Sequence, residues 1–337
     1  MDGAAQDQAF RLVSGFRFTQ MVRAVAQLKI PDLVVSGALT ADDLATATGV
    51  QADPLRRIMR SLVTVGVFSE TDDGGFGATS ISEWFRDQPG SMRSTVLMLA
   101  SDPYVAFGDL MHTLKTGEPA FEHLFHMSRW EQLAKEPDKA VHFNSAMQVR
   151  TEEIRWAVAS AYDFSDVRSV IDVGGGRGTL LSGLLRSHRH LRGAVYDLEA
   201  GVAESDAYLK EEGVRDQCEI VIGSFFESVP GGHDLYVLKN IVHDWNDEKA
   251  LAILTKCREA MVLKARLLLV EHVMPAHPDD SADSRRIFTE DVQMLVMLAG
   301  KERTEQEYRE LMGKAGIQLT RVIPTQSVYQ LIEGIPV

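Results

Sequence analysis

The sequence predicts an α/β protein. A mostly parallel, Rossmann-like sheet fills the C-terminal half, behind an N-terminal α-helical domain that carries a winged helix. Three observations predict this. Short apolar runs at 167–173, 193–197, 218–223, 234–239 and 265–272 alternate with helical segments, the pattern of a parallel sheet covered on both faces. The first run enters the cluster Gly174-Gly175-Gly176-Arg177-Gly178 and then an apolar segment of helical spacing, which reads as buried strand, tight turn and helix start. Residues 38–80 read as helix, helix and hairpin.

Taken in order, residues 8–29 carry Phe10, Val13, Phe16, Phe18, Met21, Val22, Val25 and Leu28 at helical spacing. So broad a stripe predicts a helix buried on more than one side, in a core or between subunits. Thr40, with Asp43 three residues on, forms a capping box with Asp in place of Glu, and Gly49 closes that helix. Pro54 stands in the first turn of the next, which is expected to bury Leu55, Ile58, Met59, Leu62, Val63 and Val65 and ends at Gly66. Val67 and Phe68, then Thr71-Asp72-Asp73-Gly74-Gly75 and Phe76, read as the hairpin. The segment 82–165 reads as helical and apolar, broken at Pro89-Gly90, Gly117-Glu118-Pro119 and Glu136-Pro137. After the five β runs, 317–323 and 327–332 read as a terminal antiparallel pair. The expected divisions are 1–88 (winged-helix dimerisation domain), 89–165 (helical linker and pocket region) and 166–337 (sheet domain).

Bulk properties exclude some functions. A length of 337 residues suits about two domains, and no run of 18 apolar residues marks a membrane span. The start of the chain lacks a basic segment followed by an apolar core, and Cys218 and Cys257 form no C-x-x-C pair; together these predict a cytoplasmic protein. A net charge of −13 opposes non-specific nucleic-acid binding. Arg56, Arg57 and Arg60 lie on the helix that would enter a groove, but Asp42, Asp43, Asp53, Glu70, Asp72 and Asp73 outnumber them. A structural or dimerising winged helix is therefore expected rather than a DNA reader. His123 and His126 are spaced to share a metal, yet no further ligands stand near them in sequence, and no metal is expected.

The chemistry-bearing residues gather at the carboxyl ends of the expected strands, where open α/β sheets bind ligands. The glycines follow G-x-G-x-G with Asp172 two residues before the first, which is neither the dinucleotide G-x-G-x-x-G nor a P-loop. Asp197 ends the second strand, about twenty residues on, where nucleotide folds hold ribose hydroxyls. Gly223-Ser224-Phe225-Phe226 ends the third, Lys239-Asn240 then His243-Asp244-Trp245 the fourth, and Glu271-His272 the fifth. Glu302 follows in Gly300-Lys301-Glu302-Arg303-Thr304. An imidazole flanked by carboxylates is a recurrent general base: a neutral His removes a proton while a carboxylate on its other nitrogen fixes the tautomer.

The segments Asp172–Gly178, Gly223–Phe226, His243-Asp244-Trp245 and Gly300–Thr304, behind a winged-helix domain, resemble the S-adenosylmethionine-dependent small-molecule O-methyltransferases of the caffeate/flavonoid type and their bacterial natural-product relatives. The resemblance runs from about residue 10 to the end and implies a class I methyltransferase domain, S-adenosylmethionine as cofactor, S-adenosylhomocysteine as product and no metal. It implies that Gly174 and Gly176 pass beside the methionyl group, Asp197 with Leu198 after it holds the ribose, Phe225 packs on adenine and Lys239 contacts the cofactor. His243 matches the general base, flanked by Glu271 and Glu302. Many relatives carry Asp where this chain has Ser224, so the adenine contact there is expected to be altered. Asp244 either meets the acceptor and orients the base turn or begins the next helix, and Trp245 either borders adenine or is core. Phe143, Asn144 and Met147 on one helix, and Met294, Met297 and Leu298 on another, are expected either to face a flat acceptor or to be plain core. The resemblance further implies a homodimer whose N-terminal domains lend helices to each other's sites, and a small aromatic acceptor with a hydroxyl, phenolic in the leading reading. The rivals are N-methylation or a non-methylating use of the same cofactor on the same fold, and a ligand-sensing transcription factor.

Overall fold

Each apolar run of the C-terminal half becomes a strand. The structure is a computed structural model describing residues 3–337. Three short strands, β1 (Leu39–Thr40), β2 (Ser69–Glu70) and β3 (Gly75–Gly77), form a small antiparallel sheet in the order β1-β3-β2. Seven more build the main sheet: β4 (Ser169–Val173), β5 (Arg192–Asp197), β6 (Cys218–Ile222), β7 (Leu235–Lys239), β8 (Arg266–Glu271), β9 (Ile317–Pro324) and β10 (Gln330–Pro336). Their order is β6-β5-β4-β7-β8-β10-β9. The β4–β8 strands run parallel, and β10 lies antiparallel to both β8 and β9. The order reverses between β4 and β7, so their carboxyl ends open the crevice in which doubly wound sheets bind ligands.

Strand alternation divides the core between the two faces of this sheet. Val170, Val195, Val237, Leu268 and Leu331 point to one cluster, closed by Leu180, Leu181 and Leu184 of the helix Thr179–Ser187. Ile171, Ala194, Tyr236, Leu267 and Ile332 point to the other, closed by Ile253 and Leu254 of the helix Asp247–Ala260 and by Tyr308 and Leu311. The strands thus read as continuous apolar runs because both faces are covered.

The chain divides into two compact units, 1–105 with 136–149, and 106–135 with 150–337. The helical stretch 89–165 is therefore shared between units rather than forming a region of its own. A physical reason lies in its middle: Ala106, Ala120 and Phe121 bury themselves with Val296 and Met297 of the helix Ala282–Leu298. In the first unit the winged helix forms as read. Thr40 and Asp43 close a reciprocal capping box, Gly49 ends the helix Ala41–Thr48 in the left-handed region, and Leu55, Met59 and Leu62 are buried from Ala52–Val63. Arg56 pairs with Asp42 at 2.9 Å and Arg60 with Glu70 at 2.8 Å, so two of its three arginines are neutralised within the module.

The first helix, Gly3–Gln27, departs from the expectation of burial. Phe10, Leu12, Val13 and Phe16 are 62, 78, 77 and 52% exposed, and only Ser14, Val25 and Ala26 are buried. Among the described residues none covers these four side chains, which leaves the subunit-interface alternative standing rather than the core one.

Candidate active site

The glycine loop begins where β4 stops. Gly174, Gly176 and Gly178 take φ of +74, +55 and +90°, a region disfavoured for residues with a Cβ. A Cβ at Gly178 would stand 2.9 Å from Val195, whereas one at Gly176 would meet no atom within 4 Å. Gly176 thus borders open space, and its backbone is approachable by a ligand. Its N–H donates to Asp197 Oδ2 at 2.8 Å, and the Leu198 N–H to Oδ1 at 2.7 Å. A carboxylate has about four lone-pair positions, so Asp197 retains acceptor capacity for ligand hydroxyls. Leu198 is exposed beside it.

Beneath the loop lies Asp172, 3% exposed. Burial pushes its carboxyl up to about 7, partly offset by Lys239. Burial likewise lowers the Lys239 ammonium to about 8 against the pull of Asp172, and Nζ donates to Thr151 Oγ1 at 2.9 Å. At the end of β6, Ser224 Oγ accepts from the Phe226 N–H at 3.3 Å. Phe225 packs partly buried against the core, and Trp245 stands edge-on to Phe226 with ring centres 4.9 Å apart. The cradle therefore offers glycine backbone open to close approach at Gly176, an aspartate with spare acceptors and an aromatic wall. Those groups fit a nucleoside carrying a charged side chain.

The second half of the site is built on the turn after β7. Asn240 adopts φ of +54°, and the chain then makes a 3₁₀ turn over Val242–Asp244 that buries His243. His243 Nδ1 lies 2.8 Å from Glu302 Oε1 and 3.7 Å from Glu271 Oε2, while Nε2 lies 3.3 Å from Asp244 Oδ1. Glu271 Oε1 accepts from the N–H groups of Ile241 and Val242 at 3.1 and 2.9 Å, tying the end of β8 to the histidine turn. Asp244 therefore faces the imidazole, and Asn246 caps the following helix instead, accepting from the Lys249 N–H.

Three carboxylates around one imidazole set the electrostatics. Burial alone would depress His243, but Glu271, then Glu302 and Asp244, outweigh it and hold the imidazole up to about 10. Burial raises Asp244 to about 7 and also raises Glu271, both against His243. Burial would raise Glu302 too, but His243 and, secondarily, His272 bring it down to about 2. The surrounding carboxylates thus favour the imidazolium form of His243.

A return loop clamps this turn. The Lys301 N–H donates to the His243 carbonyl at 3.0 Å. Fully buried Arg303 donates from Nη1 to Val242 O and from Nη2 to Trp245 O, both at 2.9 Å, and pairs with Asp247. Asp291 accepts from the Glu302 N–H at 2.8 Å. Sequence reasoning assigned no role to Arg303, Asp291 or His272. Arg303 and His272 stand next to Glu302 and Glu271 in sequence, which alone does not distinguish a clamp from a surface charge, and Asp291 lies eleven residues before Glu302 with no such signal.

The remaining expected residues fall in different places. Met297 is buried in the cluster with Phe121 and Val296, Leu298 packs at its edge, and Met294 is 7% exposed. Phe143 and Met147 are partly buried and Asn144 is exposed on the helix Pro137–Ala161, in the stretch assigned to the first unit. His126 is not the neighbour of His123. It closes a short helix with φ of +54°, while His123 Nδ1 meets Asp109 at 2.7 Å and its ring stacks on His112 at 3.8 Å with 2° between planes. Asp109, His112 and His123 come near enough for a metal, but parallel rings send their in-plane lone pairs side by side rather than to one point. In His243, Glu271 and Glu302, the other cluster of that kind among the described residues, the Nδ1–Glu302 hydrogen bond occupies the atoms that would ligate. A groove of about 700 Å³ lined by Ser169, Arg192 and Cys218 opens at the amino ends of the strands, away from all of these groups.

Comparison with known proteins identifies the family. Residues 10–88 match the O-methyltransferase dimerisation domain and residues 107–318 the O-methyltransferase domain. A phenazine O-methyltransferase of Lysobacter antibioticus is 38% identical over 97% of this chain and 95% of its own length. An 8-amino-8-demethylriboflavin N,N-dimethyltransferase of Streptomyces davaonensis is 31% identical over 92% of this chain and 89% of its own. The crystal structure of LaPhzM superposes with a TM-score of 0.94 at 37% identity, covering 99% of both chains. NcsB1 from neocarzinostatin biosynthesis, solved with S-adenosylmethionine and 2-hydroxy-5-methyl naphthoic acid, gives 0.85 at 32%, covering 95% of this chain and 96% of its own. With both domain models matched in order and relatives aligned along nearly its whole length, the chain belongs to the S-adenosylmethionine-dependent O-methyltransferase family.

Proposed function

We propose that the enzyme methylates a phenolic hydroxyl of a flat aromatic natural product, with His243 as general base. The observation that carries this reading is the His243 Nδ1–Glu302 hydrogen bond, which leaves Nε2 as the proton-accepting atom at the carboxyl end of β7. S-adenosylmethionine supplies a methyl group already activated on a sulfonium centre. The protein's residues must then align the acceptor and take its proton. Gly174, Gly176, Asp197, Leu198, Ser224, Phe225, Lys239 and Trp245 hold the cofactor in this reading. Phe143, Asn144, Met147, Asp244, Met294, Met297 and Leu298 border the acceptor. The acceptor O–H bond breaks to His243 Nε2 as the new C–O bond forms and the C–S bond breaks. A phenol has a pKa near 10, so removing its proton as transfer proceeds is worth about 10²–10⁴ in rate.

The high basicity of the unloaded imidazole belongs to this mechanism. An imidazolium cannot accept a proton, and a second cation in the same pocket lowers its pKa by like-charge repulsion. Glu271, Glu302 and Asp244 would thus offer negative charge that His243 offsets in part in the free protein and that the sulfonium of S-adenosylmethionine would offset in part when bound. The exposed apolar face of Gly3–Gln27 and the matched dimerisation domain support a homodimer.

A panel of hydroxylated polycyclic and phenolic compounds, incubated with S-adenosylmethionine and read by mass spectrometry, tests the reaction. A mass gain of one CH₂ on a hydroxyl supports it, and gain only on amino analogues would replace it with N-methylation. That second reading is favoured by the riboflavin N,N-dimethyltransferase among the relatives. Its substrate nitrogen would not require His243, so turnover surviving His243→Ala would identify it.

A further inference from the structure

We propose that His272 is a positioning residue for the methyl-transfer base: it donates from Nδ1 to the same Glu302 oxygen that holds His243, fixing the rotation of that carboxylate and dividing its charge between two imidazoles. The proposal rests on the reading of His243 as the base. His272 directly follows Glu271 at the end of β8 and is 2% exposed. Its Nδ1 lies 3.3 Å from Glu302 Oε1, which also accepts from His243 Nδ1 at 2.8 Å. Its ring packs on Tyr329 with centres 4.4 Å apart and 37° between planes, and Asn240 Nδ2 donates to that tyrosine's hydroxyl at 3.0 Å. The imidazole is therefore wedged and cannot swing away.

The protonation pattern follows from the acceptor. An ionised carboxylate only accepts, so both Nδ1 atoms must carry hydrogen. That tautomer leaves His243 Nε2 as the lone-pair nitrogen of the neutral base. Glu302 Oε2 has no hydrogen-bond partner among the described residues, and neither does His272 Nε2. The two histidines are thus the side-chain donors that fix this carboxylate. Without His272, Glu302 could rotate about its own bond, and its whole charge would bear on His243.

That consequence is directional. A more negative Glu302 favours the imidazolium, so loss of the His272 donor moves deprotonation of His243 to higher pH. The other charged groups around the pair are Glu271 and Lys239 from the strand ends, Asp244 on the turn, Asp291 on the helix Ala282–Leu298, Lys301 and Arg303 in the return loop, and Glu307 and Tyr308 on the helix Glu305–Lys314. All are unchanged in a His272 variant, which isolates its contribution.

The test compares kcat/KM against pH for the wild type, His272→Leu and His272→Asn. In His272→Leu the acidic limb should move up by about half to one pH unit, with up to about tenfold lower turnover at neutral pH and cofactor affinity there lowered by no more than the same factor. His272→Asn places an amide donor near the Nδ1 position and should return the limb to its wild-type place. A limb unmoved in His272→Leu, with turnover reduced equally at every pH, would overturn the proposal. So would failure of His272→Asn to restore it. Imidazole ¹⁵N NMR on the wild-type protein decides the point without activity: the Nδ1–H tautomer of His272 is expected, and an Nε2–H tautomer would refute it. Full turnover by His243→Ala would instead remove the base reading, while the tautomer measurement would still report whether His272 holds Glu302.

Discussion

Gly300→Ala adds one methyl group at the point where the return loop crosses the histidine turn. A Cβ at Gly300 would enter the His243 carbonyl oxygen and stand 2.7 Å from the Asp244 carbonyl carbon and 2.9 Å from its oxygen, whereas real Cβ contacts essentially never fall under 3.0 Å. These neighbours are backbone and cannot rotate aside. Relief requires the two segments to part, on the order of 1 Å, which stretches the 3.0 Å Lys301–His243 bond and draws the imidazole from its 2.8 Å contact with Glu302. Overpacking of this kind costs about 1–3 kcal/mol. A misplacement of about 1 Å costs about 10²-fold in rate. Steady-state methyl transfer and thermal melting on the same preparation measure both, with cofactor affinity as the control for the other half of the site. Gly313→Ala is the matched control: its Cβ meets nothing within 4 Å in the last turn of Glu305–Lys314, and it should melt no lower than wild type. A Gly300→Ala enzyme with wild-type turnover would refute the view that this crossing sets the position of His243.

Glu302→Gln removes a charge that favours the imidazolium, so the acidic limb of the pH–rate profile should move to lower pH by about one unit or more, read from kcat/KM between pH 6 and about 10. Cofactor binding should release a proton from His243. Calorimetric enthalpies in phosphate and Tris at neutral pH should therefore differ in proportion to the buffers' ionisation enthalpies, and equal enthalpies would contradict the charge exchange. Asp197→Ala should weaken S-adenosylmethionine binding by about 10–100-fold, the worth of hydrogen bonds to a charged acceptor, as measured by calorimetry. Phe16→Glu places a charge on the exposed apolar face of the first helix and should shift the protein from dimer to monomer in light scattering.

The sheet was legible because its strands are buried on both faces. Runs such as Ser169–Val173 and Arg266–Glu271 had to be nearly continuous in apolar residues, and each ended at the residues that carry chemistry. Asp197, His243 and Glu271 could be placed at the sheet's carboxyl edge in this way, since strand ends converge whatever the loops do, whereas Glu302, in the loop before Glu305–Lys314, came from the resemblance. The clamp could not. Arg303 reaches back to carbonyls of Val242 and Trp245, and nothing in the spacing of those residues records the meeting. Gly300 carried part of the family resemblance but no role of its own, and its requirement is close backbone approach rather than an unusual φ. The contact of His123 with Asp109 could not be read either, since it joins residues fourteen apart, one at the start of a short helix and the other within the next. The first helix left two readings open, because periodicity reports that a face is apolar but not whether its cover comes from the same chain.

The central claim is that His243 removes the acceptor proton, and the most direct measurement is kcat for His243→Ala against wild type on a hydroxyl acceptor found by the screen, with S-adenosylmethionine affinity measured in parallel. A fall of about 10²–10⁴-fold in kcat, with cofactor affinity held within a few-fold, is the predicted result. Turnover retained within a few-fold of wild type would contradict it.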